Sequence, residues 1–327
     1  MRKEVLWAIV GGIILGLIVA FGVYRINSRI SGNLNHLPRP TPTPKSNLSE
    51  FKIVLDKPEE NDVVTEDVIT VSGITKPLSW ITFSSENSDY IIQSDTKGVF
   101  SQEVDLVPGV NQIKVTAFEK NGIKSTTQVL VVYSSSFQKR TSPTALPNNS
   151  TGSATNDIRQ KVAQDVINTL SKPKAYIGTV TDITDATVQI KTMANEIRQI
   201  SINSDSTTVV NSTGTTAKTV KTTDVAIGDF IVAMGYVDGN SVLAAQRILI
   251  TDPVTSPKIE VSQGKLVDIP KKQISKNTDI LIFKDGKTTT AKLTDIGTDD
   301  LIIYVTSMDD KDVPSVRSIF RISPPQG

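Results

Sequence analysis

The sequence predicts a mainly β protein: an N-terminal transmembrane helix, a β-sandwich, and then one or two small β-barrels reached through a short linking helix. Three observations carry that prediction. An unbroken apolar run extends from Val5 to Tyr24. Short runs rich in β-branched residues, broken by Gly, Pro and Asn, fill residues 51–134. The same texture returns over 173–327 in two weakly similar copies, and short strands between turn signals are the mark of sandwiches and barrels.

Residues 1–25 read as a cytoplasmic tip and signal anchor. The stretch VLWAIVGGIILGLIVAFGVY, residues 5–24, has no charge, and as a helix it would extend about 30 Å, the thickness of a bilayer's hydrocarbon core. Trp7 and Tyr24 lie near its ends, where amphipathic rings favour the interface. The run exceeds the apolar core of an ordinary cleaved signal, so an uncleaved anchor is expected, with the lipid bilayer as its partner. Arg2 and Lys3 before it are nearly balanced by Arg25 and Arg29 after it. The β-rich content downstream therefore decides the expected orientation: a single-pass protein of the cell membrane with the bulk of the chain extracytoplasmic.

Residues 26–50 form a linker. Pro38, Pro40, Pro42 and Pro44 favour extended polyproline geometry, which would hold the next module away from the membrane. The module 51–134 is expected to place strands at 51–55, 68–72, 80–84, 90–93, 99–104, 112–118 and 127–133. Within 112–118, Ile113, Val115 and Ala117 alternate with Lys114 and Thr116, the period of a half-buried strand. Lys97-Gly98, Pro108-Gly109 and Asn121-Gly122 fall at the breaks and read as turns. The nearby acids Asp95, Glu103, Asp105 and Glu119 are spread over different strands and do not follow a calcium-loop spacing.

ITVSG at 69–73, KGVFSQEVDLVPGVNQIKVTAFEKNG at 97–122 and VLVVY at 129–133 resemble bacterial immunoglobulin-like modules of surface proteins, also found as accessory domains of glycan-active enzymes. That resemblance implies a spacer or binding sandwich without catalytic residues.

A second linker, 135–155, is rich in Ser, Thr, Pro and Asn. After it, Ile158, Val162, Val166 and Leu170 recur every four residues and predict an amphipathic helix over 156–172, stopped by Pro173. Residues 173–252 predict strands at 175–180, 187–191, 196–202, 207–211, 230–235 and 241–250. GTVTDI at 178–183 and IGDFIVAMGYVDGNSVLAAQRILI at 227–250 resemble a family of small exported bacterial β-barrels of unknown function.

The last segment, 253–327, repeats this one in shorter form. GKLVDI at 264–269 follows GTVTDI by 86 residues, while TDIGTDDLII at 294–303 follows TDVAIGDFIV at 223–232 by 71. About fifteen residues are therefore missing from the second copy, and the Ser/Thr-rich stretch 204–222 is the expected loss.

The chain carries 35 Lys and Arg against 34 Asp and Glu, so no global field draws it to nucleic acid. A nucleic-acid groove would need basic residues with stacking aromatics; Tyr176, Phe230 and Tyr236 sit in apolar runs, and Lys271, Lys272 and Lys276 are offset by Asp309, Asp310 and Asp312. Cysteine is absent, and the one histidine, His36, lies in the first linker. A nucleophilic triad or a His/Cys metal set is thereby excluded. Asp299-Asp300 and Asp309-Asp310 read as solvated turns.

No catalytic, cofactor-binding or metal-ligating residue is assigned, and no cofactor is expected. The expected function is a non-catalytic structural or binding role in the bacterial envelope, with a cell-wall glycan or envelope protein as partner. The alternatives are a carboxylate-based carbohydrate-active or wall-processing enzyme, and a scaffold subunit of an envelope secretion or pilus assembly.

Overall fold

The computed structural model describes residues 51–138, 172–213, 216–255, 258–284, 286–309 and 311–322, all belonging to one compact unit that begins at Phe51. Eight strands build its first part: β1 (Val54–Lys57), β2 (Asp62–Val64), β3 (Val68–Ile74), β4 (Trp80–Ser84), β5 (Asp89–Gln93), β6 (Val99–Asp105), β7 (Gly109–Phe118) and β8 (Lys124–Tyr133). β1, β3 and β6 form one sheet; β2, β8, β7, β4 and β5 form the facing one. Between them Val71, Ile81, Phe83, Phe100, Val104, Ile113, Val115, Ala117, Val129 and Val131 make a common core. This is an immunoglobulin-like sandwich, and the predicted inward face of β7 is the observed one. Gly98, Gly109 and Gly122 all have positive φ, so the three predicted turns are turns. At Gly98 a Cβ would meet the Thr75 carbonyl oxygen at 2.0 Å, so no other residue fits.

The middle part comprises β9 (Lys174–Ile183), β10 (Thr187–Thr192), β11 (Ile197–Ser201), β12 (Thr208–Asn211), β13 (Lys218–Val220), β14 (Phe230–Val237) and β15 (Val242–Thr251). The last part comprises β16 (Ile259–Lys265), β17 (Asp279–Lys284), β18 (Lys287–Thr290), β19 (Leu301–Met308) and β20 (Pro314–Arg321).

The expected fold class is corrected. The described helical pieces are three-residue 3₁₀ turns, such as Thr222–Asp224 and Leu266–Asp268. Among the described residues no helix is long and apolar enough to cross a membrane, and the single-pass membrane location is withdrawn on that finding. Residues 5–24, and all but the last residue of the expected linking helix at 156–172, lie outside the described residues. Lys172 itself is a bend.

No free-standing barrel is found among the described residues either: β9, β10, β11, β15 and β14 pair in a closed ring, but that ring is joined to the sandwich. β2 pairs with β8 and touches β9 at Asp62 and Lys174, so the sandwich sheet runs on into the middle strands as one twelve-stranded sheet, with β14 pairing to both β15 and β9. β16–β20 form an open five-stranded sheet. The sheets succeed one another in a solenoid-like array. The physical reason is visible in β14: its first seven residues are all buried, because its outer face is covered by the sandwich, whereas a free-standing barrel would leave that face to water.

The two copies nevertheless share their registers. β14 pairs Val232 with Leu249, and β19 pairs Ile303 with Phe320; both positions are shifted by 71. Thr207 donates its hydroxyl to the Ala245 carbonyl at 2.8 Å, and Thr278, 71 residues on, donates to the Val316 carbonyl at 2.8 Å. The shorter copy lacks counterparts of β10 and β11, not of 204–222: β12 and β13 correspond to β17 and β18 in the same register. Gly178 reflects this difference. A Cβ there would strike the Lys191 carbonyl of β10 at 2.2 Å, whereas at Gly264 the nearest atom is an Asp268 side-chain oxygen.

Both copies present the same face to the same sandwich sheet. Ile177, Val232 and Met234 bury against Val63, Val132 and Phe137, while Val261, Ile303 and Val305 bury against Ile91, Phe118 and Trp80. Outer-face residues of β4, β5 and β7 are therefore core, and Trp80 stacks edge-on against Phe283 with ring centroids 4.8 Å apart.

Candidate functional site

The acids singled out in the sequence serve local structure. Asp95 accepts the Lys97 and Val99 amides at 2.8 Å, a turn bond. Asp105 accepts the Tyr90 hydroxyl at 2.7 Å, Glu119 pairs with Lys76, and Glu103 lies exposed on β6. Phe230 and Tyr236 are buried core, while Tyr176 donates its hydroxyl to the Ser241 carbonyl and lies under the Arg198 guanidinium. Lys271, Lys272 and Lys276 are exposed. Asp299 meets Lys265, Asp300 meets Arg321, Asp309 closes a turn and Asp312 pairs with Lys258. Asp310 and His36 lie outside the described residues. The structure does not bring these groups together, and among the described residues no three His, Cys, Asp or Glu side chains converge as metal ligands.

Other charged groups meet where the modules join, from strands far apart in sequence. Asp89, its side chain 1% exposed, sits where the last sheet meets the sandwich. It accepts the Ser318 hydroxyl at 2.7 Å and lies 3.4 Å from Arg317, whose guanidinium also donates to the Ser85 carbonyl. Burial pushes the Asp89 carboxyl above its ordinary range, and Arg317 and Ser318 act against that rise. On the other flank Glu59 bonds to Lys172 at 2.5 Å and Lys174 at 2.8 Å, which hold its carboxyl down to about 2. Its neighbour Glu60 moves upward through desolvation, although the Leu130 amide donates to it.

Among the described residues, concave surfaces border the middle strands at two places. One, of about 410 Å³, is lined by Glu60, Asn61, Tyr176, Met193, Glu196 and Arg198. The other, about 580 Å³, lies between β15, the turn before β12 and the tail of the sandwich; Ser201, Asn203, Ser206, Thr208, Gln246 and Arg247 supply its polar lining, with no Asp or Glu. A β-bulge shapes this groove: β14 pairs Met234 with Arg247 and Gly235 with Ala245, so Gln246 is the extra residue. Bulges redirect side chains, and here two consecutive ones reach the groove. The Gln246 side-chain amide oxygen (Oε1) and the Arg247 Nε are buried without a hydrogen-bond partner. Burial lowers the Arg247 pKa, and among the described residues no neighbouring carboxylate acts against it.

The fold thus defines a mainly β chain carrying an immunoglobulin-like sandwich and a polar, acid-free groove beside it. No protein-family pattern matches the sequence, and no curated protein is similar to it at a significant level. Among solved structures, fibronectin(III)-like modules of Clostridium thermocellum CbhA are 11% identical, with 83% of this chain and 94% of that one covered at a TM-score of 0.22. A tetra-tandem repeat from the extending region of a large adhesion protein is 12% identical, with 83% and 72% covered at a TM-score of 0.22. The carbohydrate acetylesterase XAC1771 from Xanthomonas citri is 17% identical over 24% of this chain, at a TM-score of 0.20; the match spans about a fifth of the esterase, 19% of its length.

Proposed function

We propose that this chain is a non-catalytic structural or binding protein of the bacterial surface, made of the successive modules 51–134, 173–252 and 253–327. The observation that carries this reading is the seating of two related repeats by equivalent faces on one sandwich sheet, with their apolar contacts and the Asp89–Arg317 pair buried between them. Such packing supports a stiff body rather than a chain of loosely tethered beads. Binding then falls to the polar grooves between modules.

A glycan fits the hydroxyl- and amide-rich lining of the larger groove, and an envelope protein is the other expected partner. The experiment is incubation of the purified full chain with wall-derived glycans, following both retention and products. Retention without product release is the expected result.

The carboxylate-enzyme alternative has one specific foothold. Glu60, with its raised pKa, borders the smaller groove beside Tyr176 and Glu196. Glu59 next to it is committed to Lys172 and Lys174 and is not a free second carboxylate. Product release abolished by Glu60→Gln would replace the binding reading with this one.

A further inference from the structure

The two repeats carry the same bulge, and in one of them its job is visible. In β19–β20 the irregularity falls between Val305 and Thr306, which leaves Arg317 as the extra residue. Arg317 and Ser318 are therefore the counterparts, 71 residues on, of Gln246 and Arg247. In the last sheet this consecutive pair grips a carboxylate: Ser318 donates to Asp89 at 2.7 Å, and Arg317 adds its charge at 3.4 Å. The bulge is what makes two neighbouring side chains face one acceptor, since an unbroken strand would send them to opposite sides.

The pair in the middle repeat is built the same way, with the guanidinium moved one residue along. Three arginines among the described residues have a carboxylate partner: Arg198 with Glu196, Arg317 with Asp89 and Arg321 with Asp300. Arg247 has none among the described residues, and its Nε and the Gln246 oxygen are buried without hydrogen bonds. A partly buried guanidinium with no anion is costly, which argues for an external counter-charge. The groove in front of it offers Ser201, Asn203, Ser206 and Thr208 as hydroxyl and amide partners, and no acid to repel an anion.

We infer that the Gln246–Arg247 bulge is a receptor for the carboxylate of an acidic saccharide, whose hydroxyl groups are met by the polar lining of the same groove. Arg247 takes the carboxylate, bidentate geometry being what a guanidinium supplies. Gln246 accepts from a ring hydroxyl. An acidic peptide shares the carboxylate but not the hydroxyls, and the lining favours the saccharide. This assignment rests on the binding reading above and names its ligand class.

The test uses the purified full chain with trigalacturonate, an uncharged trisaccharide of the same length and a triaspartate peptide, read by calorimetry and by thermal shift. Trigalacturonate is expected to bind at least tenfold more tightly than the other two. Arg247→Met is expected to weaken it at least tenfold, and Arg247→Lys, which keeps the charge but loses the fork, to weaken it less. Without ligand, Arg247→Met should melt at or above the wild type, because an uncompensated cation has been removed; a merely structural arginine would give a lower melting temperature.

Equal binding of the neutral sugar, preference for triaspartate, unchanged affinity in Arg247→Met, or no binding at millimolar trigalacturonate would each overturn the assignment. If Arg247→Met does not fold, Arg247→Gln carries the same comparison. Cleavage of trigalacturonate would sink the non-catalytic reading and leave the binding assignment standing, while absence of both binding and cleavage would sink the assignment alone.

Discussion

Replacing Arg317 by Met removes the charge that faces Asp89 while keeping most of the side chain's volume. Asp89 is 1% exposed and Arg317 19%, so solvent screens the pair little. Removing one partner of a buried pair costs about 3–5 kcal/mol, because the remaining charge is left without compensation. Ser318 still donates to Asp89, so the lower end, about 3 kcal/mol at pH 7, is expected. The pH dependence identifies the cause.

The Asp89 pKa is already raised by burial in the wild type, and loss of Arg317 raises it further. A carboxyl whose folded pKa exceeds its unfolded value binds its proton more tightly when folded. Its penalty is therefore present at high pH and relieved as pH falls through the folded pKa. The deficit of Arg317→Met should be largest near pH 8 and should shrink toward pH 4. Urea unfolding followed by tryptophan fluorescence suits the measurement, since Trp80 lies in the same interface. Adding Asp89→Asn should recover more than half of the loss. A variant within about 0.5 kcal/mol of wild type at both pH values, the scatter of ordinary surface substitutions, would refute the reasoning.

The remaining predictions concern the repeat, the sandwich flank and the interface core. Gly178→Ala forces a methyl into the β10 backbone and should cost about 1–3 kcal/mol, whereas Gly264→Ala meets only the end of Asp268 and should cost under about 1 kcal/mol; paired melting curves compare them. Glu59, held down to about 2, contributes stability that is present above its ordinary value of 4.5 and is lost as pH falls from there toward 2. Because its side chain is 44% exposed, Glu59→Gln should cost no more than about 1 kcal/mol at pH 7 and nothing near pH 2, by urea titration at both values. Phe118→Ala empties a fully buried position between β7 and the last sheet and should cost about 3–5 kcal/mol, measured by the same unfolding assay.

The sandwich was legible because period-2 alternation, as at Ile113, Val115 and Ala117, reports one buried face. It misled where both faces are buried. Gln112, Thr116 and Phe118 look like a mixed solvent face in sequence, yet all three are buried, Phe118 against the docked repeat. The same blindness suggested free-standing barrels: an apolar run such as that of β14 does not say that its second face is covered by another module.

The repeat itself was readable from two motif offsets, but the position of the deletion was not. The Ser/Thr-rich composition of 204–222 suggested a dispensable loop, whereas register shows it retained and the β10–β11 hairpin lost. The roles of Asp89, Arg317, Gln246 and Arg247 were not legible, because they arise from a bulge and from strands far apart in sequence. Residue 71 positions apart, read in the light of that bulge, would have been the available clue.

Zero-length carbodiimide coupling in the intact chain, with the products mapped by mass spectrometry, tests the docked arrangement most directly. Lys124 and Glu260 are 3.8 Å apart across the sandwich and the last sheet, and Lys174 and Asp62 are 2.7 Å apart across the sandwich and the middle strands. Lys265 and Asp299, at 2.9 Å within the last repeat, serve as the internal control. Isopeptide bonds at all three pairs are predicted; coupling at Lys265–Asp299 without either cross-module bond would contradict the account.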